Sequence, residues 1–453
     1  MSAKLTFFGG AKTVTGANFL LETGNEKLLV DCGSVQDEHN VCDTVNARTF
    51  PYEPNSIAAL FITHAHQDHI GRVPKLVHDG FRGAIHSTPA TRDLAKLMFE
   101  DALHVMEDHA KRFGCAPLYE AADVELALSL WQGHEYRESF TVGSATVAFH
   151  DAGHILGSAM VELAHGDRPI LFTGDLGNSP EPLLPDTEEV RGPAYIVMES
   201  AYGDRVHEKR DDRKELLRSA VEDARRRKGV LLIPSFSIER TQVLLYELNS
   251  MVEVGAMKPI PVYLDAPLAE SVTEVYRRYP ELYNADVQEH LNSGDDIFAF
   301  RGLTIVKDAA ASHALHKAPD PKVIIAGAGM SSGGRIRAHE LQYLPDANAS
   351  ILFVGYQAPG SLGRRIADGA HSVEIDGRSV QVRAHISQVS GYSGHADRDQ
   401  LLDFVEREAS RVERIFVAMG ETKSELYLAQ RIKDFYGIDA VVPNEGQQFE
   451  LDW

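Results

Sequence analysis

The stretch Thr63-His64-Ala65-His66-Gln67-Asp68-His69 places three imidazoles and a carboxylate within six consecutive residues. It follows an apolar run, Ala58-Ala59-Leu60-Phe61-Ile62, that reads as a buried strand, and it precedes an apolar-periodic run from Ile70 to Val77 that reads as a helix. In the intervening loop His64 and His66 can turn toward one point while Asp68 and His69 reach a second point nearby. Imidazole nitrogen and carboxylate oxygen suit a borderline metal such as zinc, and two adjacent sites need a bridging carboxylate from elsewhere. A lone histidine at a strand end is usually just a polar loop residue. Four ligand-type side chains at this spacing point to metal binding.

At 453 residues the chain exceeds one ordinary core, so two or three domains are expected. Hydrophobic content of 43% and charged content of 25% are those of a soluble globular protein. No apolar run has the length needed to span a bilayer, and Met1 to Phe8 lacks a signal-peptide pattern. Cys32, Cys42 and Cys115 are odd in number and lack metal-finger spacing, so reduced thiols and a cytoplasmic location are expected, with Cys32 a small packed residue. The net charge of −21 counts against a polyanionic substrate unless local basic groups or metal ions attract it.

Outward from the histidine cluster, other strand ends carry further candidates. Phe19–Glu22 and Lys27–Asp31 read as a hairpin around Gly24-Asn25, and Asp31 is either a turn-former or a carboxylate that orients a ligand histidine. Thr88 and Pro89 open a long helix reaching about Arg112. The strands Ala145–Phe149 and Ile170–Thr173 lead to His154 and Asp175, and Ile196–Met198 leads to Glu199. Active-site groups gather at such strand ends in layered α/β folds. Beyond Tyr202-Gly203-Asp204-Arg205 strands alternate with helices, giving a second α/β unit with a mostly parallel sheet. The segment between Glu199 and His395 thus reads as an insertion. The expected domains are residues 1–205, an insert over 206–370, and a return to the first domain over 371–453.

Strand-end Asp31, His-x-His-x-Asp-His, His154 and Asp175, in that order, resemble the metallo-β-lactamase superfamily. Glu199-Ser200-Ala201-Tyr202-Gly203-Asp204-Arg205 and Gly391-Tyr392-Ser393-Gly394-His395-Ala396-Asp397 resemble two motifs of its β-CASP branch, which contains ribonuclease J and the cleavage and polyadenylation endonuclease. The insert adds Pro234–Gln242, Tyr263–Ala269, Gly329–Arg335 and Gly355–Arg365. The resemblance runs from about residue 4 to 446. It implies an α/β fold, an αββα sandwich with an inserted β-CASP domain, and a metal-dependent hydrolase with two zinc ions. His64, His66 and His154 would hold one zinc, Asp68 and His69 the second, and Asp175 would bridge them. Asp31 would brace the ligands, His395 would protonate the leaving oxygen, and Glu199 would orient His395. The catalytic set would be Asp68, Asp175, Glu199 and His395.

One departure concerns the last motif. RNA-cleaving members normally carry a histidine in a Val-His-Gly-Glu-like segment, where this chain has Ala418-Met419-Gly420-Glu421. A thioether is a poor zinc ligand beside oxygen and imidazole. Met419 therefore implies a weakened second metal, or a residue that packs at the rim of the site. Ser331, Ser332 and Gly333 are either a phosphate cradle or a plain loop before a helix. Arg240, Arg364 and Arg365 are candidate substrate contacts or ordinary internal and solvated arginines. His86, His134, His150, His313, His316, His339 and His385 lack ligand spacing. The function implied is cleavage of single-stranded RNA, endonucleolytic, 5′-exonucleolytic or both, in a cleft too narrow for a duplex, with no membrane partner and a homodimer admitted. The alternatives are a DNA nuclease of the same fold and an RNA-binding protein with a weakened second metal site.

Overall fold

The computed structural model describes residues 2–24, 26–36, 42–208, 210–358 and 360–453. Asn25 of the expected hairpin turn and Pro359 of the last insert segment lie outside the described residues. The chain forms two compact units, Met1–Val206 with His395–Trp453, and His207–Gly394.

The first unit is built on two seven-stranded sheets. One runs in the order Gln448–Asp452, Ser2–Gly9, Asn18–Glu22, Lys27–Val30, Ala59–Phe61, Ala84–Ser87, Trp131–Gly133. The other runs Asp439–Val441, Arg414–Val417, Tyr195–Met198, Arg168–Phe172, Ala159–His165, Ala145–Asp151, Phe140–Val142. Side chains alternate along each strand, yet both sets are apolar, as expected of strands covered on both faces. Phe7, Phe19, Val30 and Phe61 meet Phe149, Phe172, Val197 and Phe416 between the sheets. Phe19 packs edge-on to Phe7 at 5.5 Å and stacks on Phe172 at 6.2 Å. The alternate residues Leu171, Ile196, Met198, Ile415 and Val417 face Leu401, Phe404, Leu428 and Ile432 of the helices Arg398–Glu408 and Thr422–Tyr436. The long helix spans Pro89–Phe113. Thr88 caps it by accepting the Thr91 N–H at 3.2 Å, and Gly114 closes it at φ 71.

The second unit holds a six-stranded sheet in the order Leu303–Ile305, Val262–Asp265, Lys322–Ala326, Val230–Pro234, Ser350–Phe353, His385–Gln388, with every pairing parallel. Helices link the strands because parallel neighbours need long crossovers. Residues 371–394 belong here, not with the first unit as the strand-rich style of that stretch suggested. The strand His385–Gln388 pairs with Ser350–Phe353, and Val373, Ile375 and Val380 of a hairpin formed by Ser372–Ile375 and Arg378–Gln381 enter the core of this unit.

A second correction concerns cysteine. Cys42 and Cys115, expected as reduced thiols, are joined in a disulfide. Cys32 is free and buried, and burial pushes its thiol up to about 12. Among the described residues no helix is long and apolar enough to cross a membrane.

Because Phe19 touches aromatic rings from both sheets, Phe19→Ala should cost about 3–5 kcal/mol. Chemical denaturation of the metal-free protein checks this, and a loss under about 1 kcal/mol would mean that this contact does not hold the sheets together.

Candidate metal centre

Strands of the first unit deliver the polar residues just past their carboxyl ends. Asp31 follows Lys27–Val30, His64 follows Ala59–Phe61, His154 follows Ala145–Asp151, Asp175 follows Arg168–Phe172, and Glu199 follows Tyr195–Met198. Two glycines permit the crowding. A Cβ on Gly33 would lie 1.5 Å from the Asp68 carbonyl oxygen. Gly174, at φ +53, leaves no room for one beside Thr63, whose Cβ would be 2.6 Å away.

Asp31 is fully buried at φ 58, a left-handed backbone unusual for a non-glycine residue. Its carboxylate accepts the Thr63 N–H at 2.9 Å and the Thr63 hydroxyl at 2.8 Å, and lies 2.7 Å from His69 Nδ1. With Nδ1–H donated to Asp31, His69 turns Nε2 toward Asp175 Oδ1 at 3.4 Å. That nitrogen is buried and has no hydrogen-bond partner. A lone pair facing a carboxylate oxygen calls for a cation between them. Burial disfavours a charge on His69, but the Asp175 and Asp31 carboxylates outweigh it and raise the imidazole well above its ordinary range. A proton and a metal ion thus compete for one nitrogen.

Beside it four further donors converge. His64 Nε2 and His154 Nε2 lie 3.1 and 3.2 Å from His66 Nδ1, and 3.4 and 3.5 Å from Asp175 Oδ2. A tetrahedral shell around zinc, with ligands at about 2.0–2.1 Å, spaces them about 3.3 Å apart. The donor atoms of His64, His66, His154 and Asp175 all lie within 4.8 Å of one another, so the set fits a metal ion. Burial lowers His64, His66 and His154, the latter two strongly, which keeps them in the neutral form that ligates. Burial alone would raise Asp175, yet the facing His69, His395 and His64 hold it well below the usual carboxylate range. Asp68, half-buried and raised by burial, feels the charges of His69, Asp175 and His64.

His395 stands on the far side of Asp175, with Nδ1 3.8 Å from Asp175 Oδ2 and 3.3 Å from both Glu199 oxygens. Its side chain is 18% exposed, so one flank of the imidazole reaches solvent. Burial acts to lower it, but the Glu199 and Asp175 carboxylates raise it to about 9. Glu199 is held by the N–H groups of Leu176 at 2.6 Å and Ala201 at 3.3 Å.

The structure thus brings Asp31, His64, His66, Asp68, His69, His154, Asp175, Glu199 and His395 to one place. The candidate substrate contacts lie in the second unit and are less available. Arg240 is 5% exposed, a buried guanidinium of that unit. Ser331 is buried with its hydroxyl given to Glu340 at 2.5 Å, and the Ala328 and Ser331 N–H groups bond within their own loop. The helix Ile336–Tyr343 starts from Arg335 and not from a serine cap. Ser332 is exposed, Gly333 half-buried, Arg365 exposed, and Arg364 pairs with Asp368 at 2.8 Å. Met419 is 1% exposed at φ 52, packed in the sandwich core with Cγ against Gly10. Thr63 and Thr173 escape sequence reading: Thr63 links Asp31 to His64 through its hydroxyl, and Thr173 Oγ1 accepts the Glu199 N–H. Their position just past a strand was the available signal.

Family profiles match in three stretches: the Metallo-beta-lactamase superfamily over residues 13–235, the Beta-Casp domain over 241–366, and the Zn-dependent metallo-hydrolase RNA specificity domain over 379–443. Ribonuclease TTHA0252 of Thermus thermophilus is 37% identical over 425 residues, 93% of this chain and 94% of that protein. Transcription termination factor FttA of Methanosarcina mazei is 31% identical over 446 residues, 95% of this chain and 68% of that protein. A crystal structure of a protein of unknown function from Enterococcus faecalis V583 superposes with a TM-score of 0.56 at 13% identity, covering 100% of both chains, a likeness of fold alone.

If Asp31 braces His69, Asp31→Ala should weaken metal binding by about 10–100-fold. Titration against a chromophoric chelator measures it, and unchanged affinity would show that His69 needs no such support.

Proposed function

The chain belongs to the β-CASP branch of the metallo-β-lactamase superfamily, and on that premise we propose that it hydrolyses phosphodiester bonds of single-stranded RNA with two zinc ions. The observation that carries this reading is Asp175, whose two carboxylate oxygens face different histidines, Oδ2 toward His64 and His154 and Oδ1 toward His69. His64, His66, His154 and Asp175 would hold one ion, and Asp68, His69 and Asp175 the other. When bound, such a pair lowers the pKa of water to near neutral and offsets charge on the scissile phosphate.

The remaining work falls to the chain's own side chains. Asp31 fixes the tautomer of His69, and Thr63 fixes Asp31. His395, raised to about 9, is an imidazolium at neutral pH and holds the proton that the leaving oxygen requires. Glu199 sets its orientation through Nδ1 and keeps it charged. RNA is favoured as substrate by the matched RNA specificity profile and by the ribonuclease named among the relatives. DNA is the second reading, favoured by the apolar Met419 in the last motif.

Matched single-stranded RNA and DNA substrates separate the two. RNA should be cut and DNA spared; DNA cleavage alone would select the second reading. His395→Ala should fold and retain metal but lose about 10²–10⁴-fold in rate, and full activity would refute the acid role. The protonated form is the active one, so activity should fall as pH rises through the His395 value. Glu199→Gln removes the carboxylate that raises it most, and should move that fall to lower pH.

A further inference from the structure

A row of rings and guanidinium groups leaves the catalytic edge of the first unit and runs along its last long helix. It begins at Tyr202, whose ring lies 6.1 Å from the His395 imidazole. Arg205 sits over the Tyr202 ring at 5.6 Å. The Arg205 carbonyl accepts the backbone N–H of Arg398 at 2.9 Å. Tyr427 follows, its hydroxyl held below its usual range by Arg431 first and by Arg398 as well. Arg431 lies over the Tyr427 ring at 5.0 Å and over Phe435 at 5.8 Å.

The spacing follows from the helix. Tyr427, Arg431 and Phe435 are four residues apart, so they form one line on the face of Thr422–Tyr436, rising about 6 Å per step. The adjoining flank, with Leu428 and Ile432, is buried against the second sheet. Phe435 is 60% exposed, although nothing in the sandwich requires an aromatic residue there. Carboxylates offset two of the row's three guanidinium groups. Asp204 pairs with Arg205 at 2.9 Å and Asp399 with Arg398 at 2.8 Å, but Arg431 has no carboxylate partner among the described residues.

We infer that this row is a binding track for the single-stranded RNA that extends beyond the scissile phosphate, with bases stacking on Tyr427 and Phe435 and Arg431 meeting the backbone. The inference rests on the RNA reading above. Aromatic faces accept any base, and the Arg431 guanidinium supplies positive charge on a chain of net charge −21. Arg205, exposed over the ring of the buried Tyr202, joins the row to His395, and that continuity favours the substrate itself as occupant over a separate protein partner. A strand cut at His395 must also continue past it.

Steady-state cleavage of a short and a long labelled oligoribonucleotide by the metal-loaded protein tests this. The wild type should show a lower KM for the long RNA. Replacing Tyr427, Arg431 and Phe435 together by alanine should raise that KM about tenfold or more, leaving kcat and the short-RNA KM unchanged. Arg431→Glu, a single exposed-face change, is the second variant and should raise the long-RNA KM while preserving kcat. Arg431→Ala should reduce the salt dependence of long-RNA binding by about 0.7 in logarithmic slope. A long-RNA KM that is the same in wild type and variants overturns the track alone. Equal KM values for short and long RNA in the wild type do the same. Variants that change oligomeric state but not KM would assign the row to contact between copies, and also overturn it. A wild type that neither binds nor cuts RNA of either length defeats the RNA reading, and the track with it.

Discussion

At Asp175 a carboxylate that is 4% exposed faces four imidazoles, those of His64, His154 and His395 at Oδ2 and that of His69 at Oδ1. So many ionisable groups buried together cannot all satisfy one another by hydrogen bonding. Neutral imidazoles approach nitrogen to nitrogen at 3.1 and 3.2 Å, and only one proton can lie in each gap. Desolvation drives three of these imidazoles toward the neutral form while Asp175 stays ionised. The cluster is therefore a set of lone pairs and a negative charge aimed at a common volume, an arrangement that a cation relieves. Much of the surrounding architecture serves to hold it. The sandwich supplies the strand ends, Gly33 and Gly174 allow loops to approach, and Asp31 with Thr63 orients His69 from behind.

Division of labour within the site follows from small differences in surroundings. His69 and His395 are both raised, but His69 lies fully buried between two carboxylates, whereas His395 keeps a solvent-facing flank. On the proposed function a metal would displace a proton from the first, and the second would exchange its proton with a substrate oxygen. Glu199 is raised by burial although His395 opposes the shift, so it is a carboxylate whose charge depends on that partner. The pair resembles other acid–base arrangements in which one group sets the protonation of its neighbour.

The second unit's parallel sheet, the long helix from Pro89 and the metal motif were legible because each rests on local chemistry: apolar runs alternating with helices, a cap, ligand spacing. Asp31, His154, Asp175 and Glu199 were legible as strand-end residues, His395 only through the motif Gly391–Asp397, and the family resemblance gave them roles. What escaped depended on distant pairings. Thr63 stood in plain view beside His64, but its tie to Asp31 spans 32 residues and exists only once two strands lie side by side. The boundary near residue 370 failed because a hairpin looks alike in either unit, and the pairing of His385–Gln388 with Ser350–Phe353 decides which core it joins. An odd cysteine count suggested free thiols, yet Cys42 and Cys115, separated by 73 positions, meet in the fold. Arg240 showed how little an isolated arginine says: its sequence context allowed either a phosphate contact or an internal role, and folding buried it.

Shared use of Asp175 by two ions is the central claim, and metal content per chain tests it most directly. The protein should be purified without chelator and compared with Asp175→Ala by elemental analysis. The account predicts about two zinc ions per chain in the wild type and close to none in the variant. About one ion in both proteins would contradict it, showing that Asp175 bridges nothing and that Asp68 and His69 do not build a second site.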